Sequence, residues 1–136
     1  MIKDSLNIIK VGGAIVENEE SLQSLLMSLS SLKGRKILVH GGGKIATEMA
    51  ARLGVETQMI DGRRITSAEM LKVVTMVYGG LVNKNLVARL QALGVNAIGL
   101  TGADLNLIMS VKRPVQPINF GYVGDIKYVN AKALEN

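Results

Sequence analysis

The sequence predicts an α/β domain, a three-layer sandwich built on a mainly parallel sheet, and three observations carry that prediction. Two apolar runs each end in glycines beside a lysine, IIKVGG at 8–13 and ILVHGGGK at 37–44. The segment between them has leucines at helical spacing, and a strand, helix, strand unit makes its two strands parallel. Fifteen glycines against two prolines suit tight strand-to-helix turns. Parallel strands bring their C-terminal ends to one edge. Both glycine loops then open into one crevice, where bare amides and the positive ends of helix dipoles face an anion such as phosphate or carboxylate.

Taken in order, residues 1–6 read as a short lead-in and 7–11 as a first strand, apolar enough to be buried on both faces. A helix is expected over 17–32, where Leu22, Leu25, Leu26, Leu29 and Leu32 share a face and Glu19 and Glu20 sit near the favourable N-terminal end. Gly34 ends it. A second strand over 36–40 leads to a helix over 44–53 closed by Gly54, then a strand over 56–60 and an Asp61-Gly62 turn. Thr66 to Glu69 has the Thr-x-x-Glu spacing of a capping box, so a long helix is expected from Thr66 to Leu93, stopped by Gly94. Gly79-Gly80 in its middle costs about 1 kcal/mol per glycine relative to alanine. The helix therefore kinks there or something packs very close, a helix of a second copy being one explanation. Residues 95–100 and 107–112 read as strands, 113–119 with both prolines as a loop, and 122–129 as a two-stranded hairpin over a site. Asn130 suits an N-cap for a short helix over 131–136.

With 136 residues and 48% apolar content, the chain fits one domain with a core of Val, Ile, Leu and Met, since it has one Phe, three Tyr and no Trp. The absence of cysteine removes disulfides and thiolate metal sites, and a single histidine argues against zinc. No apolar run reaches the ~20 residues a membrane span needs, and the N-terminus lacks the charged, apolar, small-residue pattern of a signal peptide, so the expectation is a cytoplasmic protein without membrane contact. The net charge of +5 is spread in small groups, Lys33 with Arg35 and Lys36, Arg63 with Arg64, Lys112 with Arg113. No basic stripe with interleaved aromatics exists, which argues against nucleic acid.

Each motif has a bland reading beside the chemical one. Gly12 and Gly13 are either an anion loop or a corner needing residues without a Cβ. Three glycines at 41–43 are harder to dismiss. Lys10 inside an apolar strand either partners an anion or snorkels to water. His40 reads as a residue locking the loop by hydrogen bonds rather than as a base. Of the two arginines after the turn, Arg64 is the better candidate for a bidentate carboxylate clamp and Arg63 for the surface. Asp104, after Thr101-Gly102, reads as a turn-stabilising residue rather than a metal ligand. No metal site is expected. Neither Gly-x-x-x-x-Gly-Lys-Ser/Thr nor Gly-x-Gly-x-x-Gly occurs, so a small nucleotide-binding regulator is disfavoured.

IIKVGG, VHGGGK and DGRRIT, followed by a helix carrying Asn83-Lys84 and Leu86-Val87, together resemble the N-terminal half of N-acetylglutamate kinases of the amino-acid kinase family. The tail FGYVGDIKYVN is similar to that family's hairpin. The resemblance covers nearly the whole chain and implies an amino-acid (carbamate) kinase-like fold in truncated form. Residues 1–136 would be an N-terminal acylglutamate-binding and dimerisation domain, without the C-terminal ATP-binding domain that carries adenine recognition, a second catalytic lysine and an organising aspartate.

In that family ATP with Mg2+ phosphorylates the side-chain carboxylate of N-acetyl-L-glutamate, or a related N-acyl-L-glutamate, during arginine synthesis. The nucleophile is already a carboxylate, so catalysis is positioning and charge neutralisation. The resemblance implies that Lys10 stabilises the moving phosphoryl group and Gly12 and Gly13 give it amides. It implies that Gly42 and Gly43 hold the acylglutamate and Arg64 grips its α-carboxylate. Arg63 and Lys44 depart from the family's usual apolar residue and proline, which leaves the acyl group open between acetyl and a larger one such as succinyl. The chain alone is expected to be inactive, and a homodimer is expected through the helix starting near Thr66. The alternative is a non-catalytic binding and dimerisation module of the same fold.

Overall fold

A computed structural model describes residues 5–135; residues 1–4 of the lead-in and Asn136 lie outside the described residues. Strand β1 (Leu6–Val11) is followed by two helices, α1 (Gly13–Glu17) and α2 (Glu19–Ser31), and by strand β2 (Arg35–His40). β1 and β2 pair in parallel, from Leu6 opposite Arg35 to Val11 opposite His40. The α/β class and the parallel pair are therefore as predicted.

The helix expected over 17–32 is α2, which starts two residues later because the Asn18 side chain accepts from the Ser21 amide at 2.8 Å and caps it, and the short α1 before it is an additional element. A short polar side chain that satisfies an orphan amide starts a new helix there. β1 also departs from expectation: Ile9 packs against the core and Val11 is buried, but Leu6 and Ile8 are 51% and 65% exposed. Helices cover only one face of the pair, and alternate side chains point away from it.

Helix α3 (Gly43–Arg52) leads to an antiparallel hairpin of β3 (Gln58–Ile60) and β4 (Arg63–Ile65). Its two-residue turn, Asp61 at φ 48° and Gly62 at φ 74°, has the positive angles of a type I′ connection. Arg63 and Arg64, the two residues after that turn, thus open strand β4.

The long helix runs through α4 (Ala68–Val74), a π segment (Thr75–Val82) and α5 (Asn83–Ala92). Its cap is Ser67, accepting from the Met70 amide at 3.1 Å, and not Thr66. Thr66 is committed elsewhere: its amide donates to the Phe120 carbonyl and its carbonyl accepts from Tyr122, a parallel bridge to Gly121. The Gly79-Gly80 pair falls within the π segment; a Cβ on Gly79 would stand 3.1 Å from the Thr101 methyl, whereas Gly80 faces open space.

Residues 95–100 form no ladder. Their carbonyls are taken instead by side chains of α5, Gln91 to Ala97, Lys84 to Gly99 and Asn83 to Leu100. β5 (Ile108–Lys112) pairs antiparallel with β6 (Gly124–Val129), so the hairpin expected within 122–129 is one strand of a wider hairpin. Gly124 and Asp125 lie inside that strand, opposite Lys112 and Val111. After β6, residues Ala131–Leu134 form a 3-10 turn, and the Asn130 side chain donates to the Leu105 carbonyl rather than capping it.

The core lies where the helices meet the inner face of β1 and β2. Its buried members are Val11 of β1, Val16 of α1, Leu22, Leu26 and Leu29 of α2, Ala46 and Ala50 of α3, and Met70, Val73, Val77, Val82, Leu86 and Leu90 of the long helix. The small alanines let α3 approach closely, and Ile9 and Ile45 reach the core only partly buried. The aliphatic core otherwise matches the expectation.

Candidate functional site

β1 ends at Val11 and β2 at His40, directly opposite one another, so the glycine corners that follow are neighbours. Gly12 is the N-cap of α1 and Gly42 of α3, and neither helix has a side-chain cap. By contrast α2 and α4, away from the corners, are capped by Asn18 and Ser67. Helix starts hold amides without intrahelical partners, and at this edge no side chain among the described residues caps them. A Cβ on Gly12 or Gly41 would meet nothing within 4 Å, so the first glycine of each corner faces open space.

Arg64 reaches this edge from β4. Its Nη2 donates to the Gly43 carbonyl at 2.9 Å and to Thr47 Oγ1 at 2.7 Å, and the Thr47 hydroxyl in turn donates to Gly43 at 3.0 Å. Its Nε is buried and has no partner among the described residues. One nitrogen is anchored while another donor stays unspent, an arrangement that suits an anionic oxygen. Arg63 is exposed, paired across the hairpin with Ile60, and stands apart from this cluster.

Lys10 is exposed, one residue before the end of β1 and in register with Val39, on the strand face that the helices leave open. Among the described residues it has no carboxylate partner. Lys44 at the start of α3 lies 3.9 Å from Glu17 Oε2 at the end of α1 and ties the two corners together. The Glu17 carboxylate also closes over Gly13, where a Cβ would stand 3.1 Å from it.

Three residues of the long helix complete the edge, and residue patterns did not single them out for it. The Tyr78 ring lies against Gly42, with its hydroxyl 3.7 Å from where a Gly43 Cβ would be. Buried Asn83 meets His40 Nε2 at 3.2 Å, and His40 Nδ1 lies 3.0 Å from the Gly41 carbonyl. Lys84 donates to Asn83 and to the Gly99 carbonyl. His40 thus locks the loop. Thr47, also unforeseen, holds Arg64; its only signal was its place one turn after Gly43. Asp104 accepts from the Thr101 hydroxyl and amide at 2.7 and 2.6 Å, which holds its carboxyl below the usual carboxylate range. It stabilises a turn, as expected.

No three His, Asp or Glu side chains converge among the described residues. The corners offer amides, guanidinium and ammonium, with one carboxylate, Glu17, set against the Lys44 ammonium, and this set fits anionic oxygens and not a Mg2+ ion. No helix among the described residues is long and apolar enough to cross a membrane.

The chain resembles known proteins in sequence and in fold. The chain is 65% identical over 133 residues to the acetylglutamate kinase of Phocaeicola vulgatus, covering 98% of this chain and 52% of that protein. It is 42% identical over 135 residues to the acetylglutamate kinase of Methanopyrus kandleri, covering 96% of this chain and 52% of the relative. The chain spans about half the length of the curated relatives it matches. Among solved structures, a protein from Streptococcus mutans UA159 superposes with a TM-score of 0.78 at 25% identity, over 96% of this chain and 53% of that one. N-acetylglutamate synthase from Neisseria gonorrhoeae superposes with a TM-score of 0.72 at 22% identity, over 98% and 31%, which speaks to the fold alone. The sequence profile of the amino acid kinase family matches residues 5–136, and the chain belongs to that family.

Proposed function

We propose that this chain is the acylglutamate-binding half of an ATP-dependent N-acetyl-L-glutamate 5-phosphotransferase, which makes an acyl phosphate in arginine biosynthesis. The observation that carries the reading is Arg64, anchored on Gly43 and Thr47 with Nε unspent, beside the uncapped start of α3. Identity of 65% to an acetylglutamate kinase along almost the whole chain supports the choice of substrate.

In this reading the α-carboxylate of the acylglutamate bonds to the Arg64 guanidinium, and the amides after Gly42 and Gly43 hold the rest of the molecule. The side-chain carboxylate then lies toward Gly12 and Gly13 and attacks the γ-phosphorus of ATP. It needs no general base because it is already ionised. The P–O bond to ADP breaks as the new P–O bond forms, and Lys10 with the Gly12 and Gly13 amides offsets charge on the transferred oxygens. ATP itself, with its Mg2+, is held by the family's second half, so the chain alone binds acylglutamate and does not turn over. In the cell this work is cytoplasmic.

We further propose a homodimer through the long helix. Leu71, Met76 and Leu81 are exposed on it, and Met76 and Leu81 are one π turn apart beside the open Gly80. A monomer by light scattering at micromolar concentration would remove the dimer.

Calorimetric titration with N-acetyl-L-glutamate, N-succinyl-L-glutamate and ATP tests the substrate reading. Binding of one acylglutamate without ATP supports it and names the acyl group. ADP production dependent on N-acetyl-L-glutamate by the purified chain would contradict the division of labour between halves.

A further inference from the structure

We infer that Asn83 is a positioning residue which, through the tautomer of His40, sets the direction of the Gly42 amide in the glycine corner. The inference deepens the acylglutamate reading above and rests on it.

Asn83 is 6% exposed, the first residue of α5. Its Nδ2 contacts His40 Nε2 at 3.2 Å and the Leu100 carbonyl at 3.3 Å, and its Oδ1 accepts from Lys84 Nζ at 3.0 Å. The partners fix which way the amide points. Turned over, it would set oxygen against the Leu100 carbonyl and NH2 against an ammonium. An amide nitrogen only donates, so His40 Nε2 must be the acceptor and the ring proton must sit on Nδ1. Nδ1–H then donates to the Gly41 carbonyl at 3.0 Å.

That bond orients the next peptide. The Gly41–Gly42 bond is trans, and a trans peptide points its C=O and N–H in opposite directions. With the Gly41 carbonyl held against the ring, the Gly42 N–H is turned away from His40, at the uncapped start of α3. The opposite tautomer would set a ring lone pair against the Gly41 carbonyl and leave the peptide without its anchor.

Gly99 gives independent support, because a Cβ there would overlap Asn83 Oδ1. The residues before the Thr101 turn are thus shaped around this side chain. The same amide joins the loop after β2 to the loop before Thr101.

The test uses the purified chain with 15N-labelled histidine and glycine in alkaline buffer, where imidazoles are neutral. The wild type should show the Nδ1–H tautomer. Asn83→Asp keeps the shape but can only accept, so it should move the proton to Nε2, shift the Gly42 amide resonance and weaken N-acetyl-L-glutamate binding about tenfold. Asn83→Leu, which can do neither, should leave only the Gly41 carbonyl to favour Nδ1–H, so the tautomer preference should weaken and binding should weaken similarly. Circular dichroism checks that both fold. An Nδ1–H ring in both variants, or an altered tautomer with unchanged affinity, would overturn the inference and leave the binding reading intact. No binding by the wild type would overturn the binding reading, and the tautomer and Gly42 resonance then decide this inference alone.

Discussion

Tyr78 lies with its ring edge on Gly42, so that a Cβ at position 42 would stand 3.1 Å from Cδ1 and 3.2 Å from Cε1, with Val82 Cγ2 at 3.3 Å. Gly42 has φ 164° and ψ 25°, outside the extended region, and the ring closes the space a side chain would need. Gly42→Ala is expected to destabilise the chain by about 1–3 kcal/mol through overpacking. Tyr78→Leu in the same chain should recover part of that loss. Additive losses in a double-mutant cycle by urea denaturation would show that the contact is not what position 42 protects.

Arg64 makes a different prediction, because its Nη2 is structural and its Nε is unspent. Arg64→Lys keeps the charge and loses the planar fork. Affinity for N-acetyl-L-glutamate should fall at least about tenfold, and stability by about 1 kcal/mol as the bonds to Gly43 and Thr47 weaken. Calorimetry with the wild-type affinity would take Arg64 out of the ligand site.

Glycine runs at strand ends are local signals, which is why the two corners and Arg64 beyond the Asp61-Gly62 turn could be read from the chain. What decides the rest is tertiary. Thr66 heads a capping-box pattern, but its backbone is tied to Phe120 and Tyr122, so the cap passes to Ser67. Residues 95–100 have the apolar character of a strand, but the side chains of Asn83, Lys84 and Gln91 occupy the carbonyls a neighbour would need. Hydrophobic spacing assumes 3.6 residues per turn and cannot announce a π segment. Asn83 has the polarity of a surface residue, and only His40, 43 positions earlier, and Leu100 make it a buried one. Lys10 was readable as a cation at a strand end, while the face it takes depends on where the helices pack.

Gly121 should be intolerant of any side chain. It sits at φ 72° and a Cβ would overlap the Thr66 carbonyl, which is backbone and cannot move aside. Gly121→Ala is expected to cost at least about 2 kcal/mol, from the left-handed angle and the broken bridge together. Hydrogen exchange should speed up first at the Tyr122 and Thr66 amides, which the bridge protects. Slow exchange at both in the variant would mean that the bridge is not held by this glycine.

Acid should loosen the Thr101 turn. The Asp104 carboxyl is held below its ordinary value chiefly by the Thr101 hydroxyl and next by the Thr101 amide. A group whose folded pKa is depressed contributes stability in full above its unfolded value, about 3.9 for aspartate, and loses it as the pH falls through the folded value. The Thr101 amide resonance is therefore expected to hold its position down to about pH 4 and to titrate below it. In Asp104→Asn that titration should disappear, since the side chain has no charge to lose. Glu19, lowered chiefly by its hydrogen bond from Arg89, should behave alike at the α2–α5 contact. A Thr101 midpoint at or above that of a free aspartate would mean that the two bonds do not favour the ionised carboxylate.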